Sequence, residues 1–186
     1  MKINERAYAL GCKRSVIREI FEYSKTRAAE IGAEKVFDFS LGNPSVKPPE
    51  KVTETILELL NNSPSTLLHG YTSAQGDAEA RKSVANHIKK SFGVNITENE
   101  IYMTCGAAAG LAITLKAAIT DDRDEVIIVP PFFPEYTVFT ENAGGKTVVL
   151  PLDEKSFQID FAALEVALSE KTAAIILNSP NNPSGV

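Results

Sequence analysis

Cysteine and histidine are scarce in this chain, with two of each among its 186 residues: Cys12, Cys105, His69 and His87. The two cysteines lie far apart and form no C-x-x-C pair, so a reduced, cytoplasmic setting is the default expectation. Neither histidine is near Cys105 in sequence, which makes a small buried thiol a better expectation there than a nucleophile. Runs of basic residues are missing as well. Lys plus Arg is 19 against 24 for Asp plus Glu, a net charge of -5, so neither nucleic acid nor an anionic membrane surface is an expected partner. No apolar run approaches the ~20 residues of a membrane helix. The opening MKINERAYALGCKRS mixes charges with short apolar pieces instead of the apolar core of a signal peptide. There is no internal repeat and no low-complexity segment. What is present, 44% hydrophobic and 23% charged residues, is the ordinary balance of a globular α/β protein with enough apolar side chains for a core.

The apolar spacing predicts an alternation of helices and strands. Residues 15–31 form an amphipathic helix with Val16, Ile17, Ile20, Phe21, Ala28 and Ile31 on one face and Gly32 as its stop. A short strand is expected over 36–39, followed by a loop whose prolines, Pro44, Pro48 and Pro49, cannot be helical. A helix over 50–60 turns Val52, Ile56, Leu59 and Leu60 inward. Residues 61–76 lack periodicity and read as a long loop of the functional kind. The helix over 77–92 carries Val84, Ala85, Ile88 and Phe92 on its stripe and ends at Gly93. Farther on come strands over 125–129, 146–150 and 173–177, with helices over 134–142 and 160–168 between them. Apolar strands alternating with helices imply an α/β fold with a mostly parallel sheet covered by helices on both faces.

Within that pattern, residues 100–119 stand out. Ile101, Tyr102 and Met103 read as a strand, Thr104 to Gly106 as a turn, and Ala107 onward as a helix with Leu111, Leu115, Ala118 and Ile119 on one face. The first N–H groups of a helix have no partner within it, and the aligned peptide dipoles add positive charge there. Gly106, Ala107 and Ala108 are nearly without side chains, so an anion such as a phosphate can approach the backbone closely. A plain strand-to-helix corner prefers the same small residues. A dinucleotide site is disfavoured because G-x-G-x-x-G is absent.

Five motifs then occur in order: Leu41-Gly42-Asn43-Pro44; Tyr71-Thr72 followed by Gly76 and Arg81; Thr104-Cys105-Gly106-Ala107; Pro131-Phe132-Phe133-Pro134-Glu135-Tyr136; and Asn181-Asn182-Pro183-Ser184-Gly185. Together they resemble the N-terminal half of the fold-type I, class I/II aminotransferases that use pyridoxal phosphate. The cofactor is a flat, electron-poor ring with a dianionic tail and a phenolic oxygen, so its site needs an anion cradle, a flat apolar partner and a hydrogen-bond donor. The resemblance implies that backbone N–H groups of Ala107 and Ala108, after Gly106, hold the phosphate, that Phe133 stacks on the ring, and that Asn182 donates to the phenolic oxygen and borders the substrate. It further implies that Tyr71 reaches the phosphate of a neighbouring subunit, making the unit a homodimer, and that the Gly42 backbone approaches the substrate carboxylate. From the residues alone, Phe133 also suits a core, Asn182 and Gly42 a turn, Tyr71 a loop, and Arg81 a surface or capping position. Gly110 and Ala80 depart from the family's bulkier or more helix-favouring residues.

By the same resemblance, residues 1–47 belong to a small domain and 48–186 begin a large cofactor domain that is truncated. The chain stops in mid-loop after a buried strand, so a fragment is expected. The lysine that carries the cofactor, the aspartate that pairs with its ring nitrogen and the arginines for phosphate and substrate carboxylate lie further along in the family. No catalytic residue is therefore assigned in this chain, and the piece alone is expected to be inactive, since that lysine is the base for the proton transfer. The implied reaction moves an amino group from an L-amino acid (aspartate, aromatic or neutral) to a 2-oxo acid. A pyridoxal-phosphate-dependent carbon–sulfur lyase on the same scaffold and a non-catalytic truncated module remain the alternatives.

Overall fold

A computed structural model describes residues 2–12, 15–40, 42 and 46–186. Leu41, Asn43 and Pro44, which belong to the first of the five motifs, lie outside the described residues. The chain divides into two compact units, Met1–Gly70 and Tyr71–Val186.

The first unit is helical among its described residues. Helices α1 (Glu5–Cys12) and α2 (Val16–Ile31) are followed by a 3₁₀ turn (Ala33–Lys35), then α3 (Glu50–Asn62) and the single turn α4 (Ser65–Leu68). Ser15 takes an extended conformation before α2, and Gly32, at φ 97°, ends it by donating its N–H to the Ala28 carbonyl. Two expectations fail here. Residues 36–39 form no strand, and Phe37 and Phe39 are 80% and 91% exposed, because a strand needs a hydrogen-bonding edge and none of the described residues of this unit offers one. The stripe of α3 is not turned inward either. Val52, Ile56, Leu59 and Leu60 are each about half exposed: the periodicity is there, but within this unit the packing recorded for α3 is against the four-residue α4. The expected loop over 61–76 is interrupted by α4.

The second unit carries the sheet. Helix α5 (Ala78–Phe92) begins at Asp77, whose carboxylate accepts the Ala80 N–H, and ends at Gly93 in the left-handed region. Helix α6 (Ala107–Ala118) leads to strand β1 (Glu125–Ile128), then α7 (Glu135–Ala143), β2 (Lys146–Val149), α8 (Phe161–Ala167) and β3 (Thr172–Ile176). All pairings are parallel, in the order β2-β1-β3, with Ile127 beside Val148 on one side and Ile175 on the other. The strand expected over 101–103 does not form. That segment is extended but makes no ladder, and the Met103 N–H instead donates to the Gln75 carbonyl at 2.9 Å.

Strand β1 is the centre of the packing. Val126, Ile127 and Ile128 have no exposed surface, each burial being worth about 1.5–3 kcal/mol. Val126 and Ile128 join Leu115 and Ile119 of the α6 segment, Ala143 of α7 and Ile176 of β3 in one cluster, with Phe132, Tyr136 and Phe139 against it. Ile127, offset by one position, points to the other face. Helices α6 and α7 pack on each other over the first face. The β2-to-β3 crossover passes β1, and the right-handed rule carries α8 to the opposite face.

The turn from α6 into β1 is closed by Asp124. Its carboxylate accepts the N–H and hydroxyl of Thr120 at 2.6 and 2.9 Å and the N–H of Asp121 at 3.1 Å. These bonds, the Thr120 N–H first among them, hold its pKa below the ordinary carboxylate value of 3.8. Because the folded state favours the charged form, the stabilisation is complete above about pH 4 and fades as pH falls through the lowered folded-state value. Asp124→Asn should therefore flatten the acid limb of a Tm-against-pH curve relative to the parent; parallel acid limbs would show that this turn contributes nothing.

Candidate functional site

In an open parallel sheet, ligands sit beyond the carboxyl ends of the strands. Two loops leave that edge here, residues 129–134 after β1 and residues 177–186 after β3, and their strands are neighbours. They are joined by Asn181, which in the sequence stands out only as part of a motif. Its side-chain N–H donates to the Pro131 carbonyl at 2.9 Å across fifty positions of sequence, while its Oδ1 accepts the Ser184 N–H at 3.3 Å. The main chain closes the same loop, with the Asn181 N–H donating to Val186 O at 2.8 Å and the Gly185 N–H to Asn181 O at 2.7 Å. The Asn182-Pro183 peptide is cis. Phe133 and Asn182 thus project from two loops tied to each other, and both are exposed.

Phe133 is 49% exposed, with its ring meeting Tyr136 edge to face at 5.9 Å between centroids and 76° between planes. Tyr136 in turn stacks on Phe132 at 6.4 Å. The aromatic at 133 is braced from one side and open on another, which is the arrangement a flat ligand needs. The brace was legible as the i, i+3 pair Phe133 and Tyr136 at the start of α7.

The start of α6 belongs to this edge by direction. Its last turn lies by the amino ends of the strands: the Lys116 ammonium donates to the Ala143 carbonyl at 3.3 Å, and Ile119 sits against Gly145, just before β2. Twelve helical residues span about 18 Å, more than the ~13 Å of a four-residue strand. The helix runs back to the carboxyl edge. There Gly106, at φ 98° and ψ 167°, precedes the first helical residue and no side chain caps the helix. The first intrahelical bond is Gly110 N–H to Gly106 O at 3.2 Å, so the N–H groups of Ala107, Ala108 and Ala109 precede the ladder. A Cβ placed on Gly106 would meet nothing within 4 Å, leaving open space before these donors. Thr104 fixes the approach by donating its hydroxyl to Gly106 O at 3.0 Å.

The remaining expected residues are not brought into this group. Tyr71 opens the second unit and is fully exposed, and Gly42 is exposed in the first unit. Cys105 is exposed, not the buried thiol expected, because it falls in the turn before α6 and not on its packed face. Arg81 is the reverse case: expected on the surface or at a cap, it is 7% exposed and donates to the carbonyls of Gly76 and Glu98 at 3.3 and 2.5 Å. Its position five residues after a turn glycine was the available signal. Two hollows lie away from this edge. One, of about 600 Å³ between Arg123 and Lys171, is at the amino ends of β1 and β3; the other, of about 450 Å³, lies on α6 beside Ile113. Neither is lined by an expected site residue.

The bare helix start, the open aromatic and the amide loop thus lie on the carboxyl edge of a parallel α/β unit, the edge at which such folds bind ligands. The comparisons make this specific. Residues 34–186 match the family model described as aminotransferase class I and II, and the chain belongs to that family. It is 32% identical over 173 residues to a probable aspartate aminotransferase of Methanocaldococcus jannaschii, covering 93% of this chain and 42% of that protein. An aromatic-amino-acid aminotransferase of Thermococcus litoralis is also 32% identical, over 92% of this chain and 42% of that protein. The crystal structure of an amino transferase from Eubacterium rectale superimposes with a TM-score of 0.94 at 50% identity, covering 99% of this chain and 46% of that one. The chain therefore spans about two fifths of the length of the curated relatives it matches.

The two glycines of the α6 start separate backbone from packing. Gly106 occupies a conformation that a residue with a Cβ adopts only at a cost of about 1–3 kcal/mol, although the space around it is free. Gly110 is helical, and a Cβ there would make ordinary contact with the Thr104 hydroxyl at 3.5 Å. In urea titrations Gly106→Ala should lose about 1–3 kcal/mol, whereas Gly110→Ala should be neutral or gain up to about 1 kcal/mol. Equal effects at both positions would contradict the assigned backbone.

Proposed function

We propose that this chain is the amino-terminal part of a pyridoxal-phosphate-dependent aminotransferase that moves an amino group from an L-amino acid to a 2-oxo acid. The observation that carries the reading is the Asn181 to Pro131 hydrogen bond, which gathers the Phe133 and Asn182 loops at the edge to which α6 also runs. The residues fit the cofactor: backbone N–H groups of Ala107 and Ala108, following Gly106, for the phosphate; the Phe133 ring for the pyridine face; the Asn182 amide for the phenolic oxygen. When bound, the cofactor supplies the electron sink for breaking a bond at the amino acid's α-carbon. The chain's own residues bind and orient. Bare N–H donors at a helix start neutralise a dianion, the aromatic excludes water from one ring face, and the amide donor of Asn182 stabilises negative charge on the oxygen.

In the same reading Gly42 approaches the substrate carboxylate, and Tyr71 serves the phosphate of a second subunit in a homodimer. The complete exposure of Tyr71 and the uncovered stripe of α3 are consistent with a second copy. Residues 1–47 are assigned to a small domain and 48–186 to the start of the cofactor domain. The lysine base and the ring-nitrogen aspartate are assigned to further chain, so the 186 residues alone are inactive. The relatives' names, among them aspartate, aromatic-amino-acid and alanine aminotransferases, support aspartate, an aromatic or a neutral amino acid as donor. Two exposed thiols without a disulfide agree with a reduced, cytoplasmic compartment.

The test is made on the full-length protein carrying this sequence. Mixed with pyridoxal phosphate it should gain visible absorbance that survives dialysis, and it should convert aspartate, an aromatic or a neutral amino acid in the presence of a 2-oxo acid. Asn182→Ala should lower kcat/KM by about ten- to hundredfold, the worth of a hydrogen bond to a charged oxygen, and alter the pH dependence of the absorbance. Release of pyruvate and ammonia without a 2-oxo acid would mean a lyase instead. Absence of any retained absorbance would end the reading.

A further inference from the structure

Among the described residues the segment that leads into α6 joins no ladder, yet it ends at Gly106, where the backbone must be placed accurately. Its anchors within this chain are hydrogen bonds to α5 and to the loop before α5. Arg81, on α5, is 7% exposed and spends its donors on two main-chain carbonyls, Gly76 O at 3.3 Å and Glu98 O at 2.5 Å. Glu98 begins a 3₁₀ turn locked by a capping box between Thr97 and Glu100, and this turn starts the lead-in. Gly76 closes the loop that begins at Tyr71. The Gly76 carbonyl also accepts the Ser73 hydroxyl at 2.6 Å, and its neighbour Gln75 accepts the Met103 N–H at 2.9 Å. Gly76 is at φ 97°, and a Cβ there would come within 2.6 Å of the Met103 side chain. One guanidinium therefore holds the first residue of the lead-in directly and, through residues 75 and 76, Met103, three residues before Gly106.

We propose that Arg81 is a positioning residue that sets the start of α6 and the Tyr71 loop as one piece. A guanidinium suits this task because its donors form a rigid planar fork, and a buried charge tolerates few alternative arrangements of the carbonyls around it. Lysine would keep the charge but could not span both acceptors at fixed geometry. The proposal rests on the reading of Ala107 and Ala108 as phosphate donors, since that is where a displaced lead-in would be felt.

The experiment uses the full-length protein with pyridoxal phosphate, comparing the parent, Arg81→Lys, Arg81→Met, Gly76→Ala and, as a control for general destabilisation, Ile127→Ala in the sheet. Hydrogen exchange should show that both Arg81 variants lose protection at the Met103 amide and over residues 98–106 together, while the sheet keeps its own. The cofactor dissociation constant, from visible absorbance, should rise about tenfold in Arg81→Met, the worth of one hydrogen bond to a charged group. It should rise less in Arg81→Lys and stay unchanged in Ile127→Ala. Gly76→Ala should repeat the Arg81 effect and add little to it in the double variant. Unchanged Met103 protection in folded Arg81→Lys, or a dissociation constant that moves as much in Ile127→Ala, overturns the proposal. Should Arg81→Met not fold, Arg81→Lys and Gly76→Ala decide it. A parent that retains no cofactor defeats the functional reading alone, and the exchange data still judge the positioning role.

Discussion

Strand β1 is the constraint from which the geometry of the second unit follows. A three-strand parallel sheet has only one strand with neighbours on both sides, and here it is also the only one buried at three successive positions, Val126, Ile127 and Ile128. The Val126 and Ile128 face holds α6 and α7 through Leu115, Ile119 and Ala143, and so fixes the direction of α6 relative to the sheet. Because α6 runs against the strands, its free N–H groups and the loops after β1 and β3 arrive at one edge. The site is a consequence of strand polarity before it is a property of any side chain.

That consequence was legible in the sequence where a pattern had a local cause. The three apolar strands, helices α5 to α8 and the stop of α5 at Gly93 follow from periodicity and from glycine's access to positive φ, and all are found within a residue or two. The failures share another cause. Residues 36–39 and 101–103 have strand-like composition but no partner strand among the described residues, and β propensity expresses fit to a neighbouring surface more than an intrinsic backbone choice. Likewise the α3 stripe is a true amphipathic pattern, yet a pattern states which face wants cover and not where the cover comes from.

At the site, residue types were readable and their supports were not. Phe133, Asn182 and the Gly106 turn carry their chemistry in their names. Asn181 and Arg81 do not: an asparagine in a turn and an arginine on a helix look ordinary, and what matters in each is a bond spanning fifty and seventeen positions. Long-range hydrogen bonds to main-chain carbonyls leave no periodic trace. Cys105 shows the converse, a residue whose burial was inferred from type when its place in a turn had already decided otherwise.

The two supports divide the work by rigidity. Asn181 joins two loops whose strands are already adjacent, so it needs only one neutral hydrogen bond to select a loop conformation, worth on the order of 1 kcal/mol. The lead-in to α6 joins no ladder among the described residues: between its 3₁₀ turn and Gly106, the five residues 101–105 pair with no strand. Holding it calls for a charged donor buried at the crossing, where low dielectric strengthens each bond to a carbonyl and penalises any arrangement that leaves the guanidinium unmatched. A neutral side chain would leave the lead-in several arrangements of similar energy, and the helix start would follow it. The buried arginine thus gives the start of α6 a fixed approach from α5 that does not depend on the sheet.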